Sequence, residues 1–309
     1  MSFPLLTLCG LLALLAFPVV AEETSLHRKI GRGPKLAGDE MAFEEFRTQE
    51  LEGWDERAEA YEGLTARVTT QAIPALLASI RTRVGIKVLD ICTGPGFAAG
   101  AADAIGAIAE GIDFAPSMIA TAEKRFPQLD FRVGDALALD APDASYDAAI
   151  CNFGVFHFTD PGIAFGEAFR VLKPGGRYAF SQWASPKESA LFERVFGAIL
   201  KHADMSRVPP SPDAFAFSDT EKCRQALSDA GFREIEVTPV PSIYHGSADG
   251  FWDEFLQFSV RTPIIMRQQT IEAAAAIEAE ITAAMAKFEQ GGMLAIPMPS
   301  FVVSGVMPE

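Results

Sequence analysis

Three aspartates stand where short apolar runs end. Asp90 lies in VLDI at 88–91, Asp113 closes GID at 111–113, and Asp135 follows FRVG at 131–134. The loop CTGPG (92–96) follows the first run, and the small-residue stretch FAAGAADA comes directly after it. Gly94 and Gly96 leave the backbone bare enough for a ligand to approach closely. A carboxylate at Asp113 can accept both hydroxyls of a ribose, and one at Asp135, after a glycine, can take the exocyclic amine of an adenine.

The loop by itself leaves two ligands open. Gly94-x-Gly96-x-x-Ala99 with a following acid satisfies a loosened dinucleotide fingerprint, and S-adenosylmethionine fits it equally well. Three features separate them. Asp90 suits an amino-acid ammonium and repels a pyrophosphate. Gly134-Asp135-Ala136 has a use only if an adenine lies beside it. Leu172-Lys173-Pro174-Gly175-Gly176 makes a tight turn into a later strand.

These residues need a scaffold that brings strand ends together, and the hydrophobic pattern supplies one. Strands are expected at 86–91, 107–113, 129–133, 146–152, 177–182 and 234–239, with a closing strand at 300–306. Helices are expected at 97–104, 117–125, 161–172, 187–202 and 220–230. Short connections between alternating elements imply an α/β fold: a Rossmann-like, doubly wound, mostly parallel seven-stranded sheet covered by helices on both faces. An open parallel sheet places its ligand beyond the carboxyl ends of its strands, near a helix N-terminus. Residues 51–80 read as helical, with Trp54, Ala58, Tyr61 and Leu64 on one face. Residues 249–290 break the alternation. FWDEFLQF is aromatic-rich, and Ile271, Ala274, Ile277, Ile281, Met285 and Phe288 form a stripe at helical spacing. We expect a domain of 41–245 with 294–309, and a helical insertion before the last strand at 246–293, either core-facing or a lid over a substrate pocket. Phe251, Trp252, Phe255 and Phe258 offer either a greasy wall for a small hydrophobic acceptor or ordinary core.

The chain has 309 residues and a formal net charge of −15. That field repels phosphate backbones, so nucleic acid is not expected as a partner. The four cysteines, Cys9, Cys92, Cys151 and Cys223, match no zinc or CxxC spacing and are expected to be reduced. The four histidines are scattered, so no metal is expected. Residues 5–21 are nearly all apolar. They read as signal-like, as a membrane contact or anchor that leaves the domain in the cytoplasm, or as sequence upstream of a true start near Met41. Residues 1–40 are therefore set apart as a segment and linker, and a cytoplasmic location is expected.

VLDICTGPG, GIDFAPSMI, FRVGDA, YDAAICNFGVFHFTDP and FRVLKPGGRYAFSQW, in that order, resemble the class I S-adenosylmethionine-dependent methyltransferases. The likeness spans about 50–240 and is nearest to the branch with the ubiquinone and menaquinone biosynthesis methyltransferases. It implies S-adenosylmethionine as cofactor, with Asp90, Thr93, Gly94 and Gly96 at the methionine end and Asp113 on the ribose. Phe114 or Met118 would pack on the adenine, and Asp135 and the Ala136 backbone would face its amine. Asn152 and Phe153 would lie under the sulfonium, and Trp54 and Tyr61 would close over the cofactor. Cys92 stands where the family often has the first glycine of its loop. His157 is the one candidate base near the strand ends; the alternative is a histidine with no part in the chemistry. The implied activity is methyl transfer to a small, hydrophobic acceptor. The competing readings are an NAD(P)-dependent oxidoreductase, a protein that binds S-adenosylmethionine without turning it over, and a membrane-associated protein governed by its first 21 residues.

Overall fold

The computed structural model describes residues 37–309, and side chains from residue 44 onward. The readings placed on the apolar segment at 5–21, and on Cys9 and His27, lie outside the described residues. Among the described residues no helix is long and apolar enough to cross a membrane.

The elements run α1 (Ala37–Arg57), α2 (Leu64–Thr69), α3 (Ile73–Ser79), β1 (Lys87–Ile91), α4 (Phe97–Ala104), β2 (Ile108–Asp113), α5 (Pro116–Arg125), β3 (Asp130–Val133), β4 (Tyr146–Asn152), α6 (Pro161–Val171), β5 (Leu172–Trp183), α7 (Ala190–His202), α8 (Thr220–Asp229), β6 (Arg233–Val240), β7 (Ile243–Ser247), α9 (Phe251–Phe258), α10 (Arg261–Arg267), α11 (Ile271–Met285), β8 (Glu289–Gln290), β9 (Met293–Pro297) and β10 (Ser300–Val306). Seven strands form one sheet in the order β3-β2-β1-β4-β5-β10-β6. β10 runs antiparallel between β5 and β6, and the pairs from β3 to β5 are parallel. The α/β class and the seven-stranded, mostly parallel sheet are as the pattern implied.

The register sets up the chemistry. Asp90 pairs with Gly111, and Asp113 with Val133, so β1, β2 and β3 end at nearly the same height. Val88 and Leu89 are fully buried, as expected for strands covered on both faces. α6 starts where Asp160 accepts from the Ile163 N–H and stops at Val171, where the chain turns extended. β5 begins earlier than the pattern implied. Gly175 (φ +76°) donates its N–H to Met307 beyond β10, which extends the pairing through the tight turn.

The insertion between β6 and β10 contains the expected helices and also β7, β8 and β9, which form a three-stranded antiparallel sheet. These strands are short and half-buried, with Tyr244, Leu294 and Ile296 facing in, so their alternation was too brief to read. On α11, Ile277, Ile281 and Met285 are buried, whereas Ile271 is exposed. Phe251, Phe255 and Phe258 are core: they stack on one another, and Phe258 meets Trp183 at 5.7 Å. The insertion thus shares one hydrophobic cluster with the main sheet.

Gly111 lies where β2 passes under the loop. A Cβ there would stand 2.6 Å from Phe131 Cδ1 and 2.7 Å from Thr93 Oγ1. Gly111→Ala should cost about 1–3 kcal/mol by overpacking. Thermal unfolding checks this, and the midpoint should fall by several degrees.

Candidate functional site

The loop after β1 is built from the backbone outward. Cys92 (φ +58°), Gly94 (φ +52°) and Gly96 (φ +83°) all take left-handed conformations, and α4 starts directly after Gly96. Glycine suits that geometry; Cys92 adopts it as a non-glycine residue and lies beside Cys151. The hydrogen bond with Cys151, and then burial, push the Cys92 thiol well above its usual range, and Cys92, Cys151 and Cys223 are free thiols.

Asp90 sits beneath this loop and is fully buried. Its Oδ2 accepts from Thr93 Oγ1 at 2.7 Å and from the Ala99 N–H at 3.0 Å, while Oδ1 has no hydrogen-bond partner. Burial raises its pKa from 3.8 to about 7 against the lowering effect of those two bonds, with the nearby charge of Asp113 adding to the rise. Asp113, also buried, accepts from the Gly94 N–H at 2.8 Å through Oδ2 and from the Ala115 N–H at 3.0 Å through Oδ1. The end of β2 is thereby tied to the loop of β1.

A cavity of about 40 Å³ opens beside these groups, lined by Asp113, Phe114, Asp135, Ala136 and His157, with Arg47, Cys92 and Leu137 among the others. Of the residues singled out in the sequence, these first five share the cavity. Thr93, Gly94 and Gly96 form the loop next to it. Tyr61 lies over Gly94, its ring 3.8 Å from where a Cβ would stand, and burial lifts its phenol to about 12. Met118 is buried in a small cluster with Ala58 and Ala115, beneath Trp54 and Tyr61, and does not line the cavity. Asn152 and Phe153 lie at the end of β4. Ser181 Oγ accepts from the Phe153 N–H and donates to Asn152 Oδ1, each at 2.8 Å, and Phe153 stacks on Trp183 at 4.1 Å.

The N-terminal helix supplies residues that the sequence reading passed over. Arg47 Nη2 donates to Asp135 Oδ2 at 2.8 Å. Glu50, only 4% exposed, has its Oε2 2.6 Å from His157 Nδ1 and 3.0 Å from Trp54 Nε1. Asp55 Oδ1 accepts from the Ser117 N–H at the start of α5. Arg47 and Glu50 precede Trp54, which the sequence did single out, at steps of three and four, the helical spacing that could have revealed them.

Comparison with known proteins identifies the family. A family described as a methyltransferase domain matches residues 89–180. A demethylmenaquinone methyltransferase of Thermus thermophilus is 37% identical over 179 residues, covering 52% of this chain and 81% of that protein. The chain belongs to the class I S-adenosylmethionine-dependent methyltransferases. A demethylmenaquinone methyltransferase of Paenarthrobacter aurescens is 32% identical over 164 residues, covering 50% of this chain and 64% of that protein. The methyltransferase chain thus spans a little under two thirds of that relative's length. Phosphoethanolamine N-methyltransferase 2 of Haemonchus contortus, solved with phosphomonomethylethanolamine and S-adenosylhomocysteine, has the same fold. Its TM-score is 0.53 at 19% identity, covering 86% of this chain and 60% of that one.

The raised pKa of Asp90 has a stability consequence. An acid whose pKa is higher in the folded chain holds its proton more tightly there than in the unfolded chain. Between its usual 3.8 and about 7, therefore, rising pH destabilises the fold. Asp90→Asn keeps the shape and removes the titration. Urea unfolding of both proteins from pH 4.5 to 8.5 should show the variant gaining on the wild type up to about pH 7, with no further gain above it.

Proposed function

We propose that this methyltransferase binds S-adenosylmethionine at the ends of β1, β2 and β3 and transfers its methyl group to a small hydrophobic acceptor of the hydroquinone class. The observation that carries the cofactor reading is the buried Asp113 carboxylate, tied to the Gly94 N–H and facing the same cavity as Asp135. The residues present fit the cofactor chemically. Asp113 offers acceptors for a ribose diol, Asp135 an acceptor for the adenine amine, and Phe114, Ala136 and Leu137 flat or apolar surface for the ring. The unpartnered Oδ1 of Asp90 fits the ammonium of the methionine end. Size is the one mismatch. Small-molecule sites run to about 300–1,000 Å³, so the Arg47 side chain, which reaches from α1 to Asp135 across the cavity, would swing aside for the cofactor to enter.

When bound, S-adenosylmethionine supplies a methyl group on a positively charged sulfur. The methyl would pass to the acceptor's own electron pair, and the S–CH3 bonding pair would stay with sulfur. The protein's part is alignment and exclusion of water. A hydroquinone must also lose a hydroxyl proton to become a good nucleophile, and His157, on the cavity wall, is placed to take it. The acceptor class rests on the names of the two bacterial relatives and on the aromatic surround of His157, where Phe156 lies 4.3 Å from its ring. We place the reaction in the cytoplasm, where S-adenosylmethionine is made available.

Thermal unfolding of the full chain with S-adenosylmethionine, S-adenosylhomocysteine and NAD tests the cofactor. At about 100 times its dissociation constant a ligand adds about 2.7 kcal/mol, so the first two should raise the midpoint by several degrees and NAD should not. A rise with NAD alone would restore the oxidoreductase reading. His157→Ala should lower turnover of a short-chain demethylmenaquinol about 100-fold or more, with affinity for S-adenosylhomocysteine retained. Near-normal turnover in that variant removes His157 from the mechanism.

A further inference from the structure

Glu50 is a buried carboxylate on a helix whose exposed face is rich in acids. Its Oε2 is the meeting point of two ring nitrogens, His157 Nδ1 at 2.6 Å and Trp54 Nε1 at 3.0 Å. The Trp54 and His157 rings are held edge to face at 5.3 Å, so the indole supports the imidazole from the side as well. Two cations act on the same carboxylate, the buried Arg57 on α1 and the half-buried Arg261 on α10. Arg57 is itself anchored to the Gly53 carbonyl at 2.8 Å. α1 cannot easily slide here, because Gly53 packs so closely on Val260 that a Cβ would stand 2.4 Å from its Cγ1.

An ionised carboxylate only accepts hydrogen bonds, so the nitrogen facing it must carry a proton. That leaves Nε2 of a neutral His157 with a free lone pair, and no described residue hydrogen-bonds to Nε2. We propose that Glu50 is a positioning residue for methyl transfer: from α1 it fixes His157 as the Nδ1–H tautomer and keeps Nε2 ready to accept a proton at the cavity. This rests on His157 being the base. In the step, the acceptor's O–H proton passes to Nε2 and its electron pair stays on oxygen. Nδ1 keeps its own proton, and the imidazolium that forms lies beside the Glu50 carboxylate. A helix that covers the cavity thereby also sets the protonation geometry of its base, so the base is poised only while α1 is seated.

The test uses the full chain labelled with 15N-histidine. Long-range proton–nitrogen spectra at pH 8 report the tautomer of each of the four histidines, and His157→Ala identifies the signal. The wild type should show His157 as Nδ1–H. Glu50→Ala should move it toward Nε2–H, and Glu50→Gln, whose side-chain oxygen can still accept, should keep much of the Nδ1–H form. With a short-chain demethylmenaquinol, kcat should fall roughly 10–100-fold in Glu50→Ala and recover in part in Glu50→Gln, with KM for S-adenosylmethionine little changed. An unchanged tautomer in Glu50→Ala overturns the proposal whatever the acceptor. If His157→Ala loses turnover and Glu50→Ala keeps it, the role of Glu50 alone fails. If both keep it, the reading of His157 fails first and takes Glu50 with it.

Discussion

The site depends on a carboxylate that the fold buries beneath a backbone loop. Asp90 lies out of water, satisfied on one oxygen by Thr93 and Ala99 and on the other by nothing. Such a group is costly unless the surrounding atoms are held in place. The left-handed turns at Gly94 and Gly96 do this, turning the backbone so that the Gly94 N–H reaches Asp113 on the next strand. One bond then joins the ends of β1 and β2, and α4 begins where the loop finishes. A side chain at Gly111 would strike Phe131 and Thr93, so even the strand beneath is shaped by the loop's support.

The second constraint is charge. Parallel strands ending at one height bring Asp90, Asp113 and Asp135 to the same edge of the sheet, and the chain as a whole is strongly acidic. A cation must come from elsewhere in the sequence, and α1 brings one in Arg47. Arg47 pairs with Asp135, while Glu50 takes up His157 and Trp54. The Arg47–Asp135 pair is part-exposed on both sides, so it holds α1 only weakly. The Glu50–His157 contact is buried on the Glu50 side and is the firmer anchor. The pair at Arg47 can therefore open for a ligand while Glu50 keeps α1 seated on His157.

Much of this was legible in the sequence because it is local. The strand-loop-helix around Asp90, the acid ending β2 and the Gly134-Asp135 pair depend on a few neighbouring residues, and their types show directly. The alternation of apolar runs with helical stripes implied the mostly parallel sheet. What could not be read depends on distant contacts. Arg47 and Glu50 meet Asp135 and His157 only after the whole sheet has formed, across more than 80 residues of chain. Met118 faces the cluster under Trp54, where α5 meets α1. The strands β7, β8 and β9 are too short to show a period. The aromatic run at 251–258 could be core or pocket wall on composition alone, and packing against Trp183 placed it in the core.

The central claim is that an adenosyl group occupies the space between Asp113 and Asp135, into which the Arg47 side chain now reaches. A crystal structure of the full chain with S-adenosylhomocysteine tests it most directly. The account predicts ribose oxygens on the Asp113 carboxylate, the adenine beside Phe114 and Asp135, and Arg47 released from Asp135. S-adenosylhomocysteine bound elsewhere, or bound with the Arg47–Asp135 pair intact and Asp113 untouched, would contradict it.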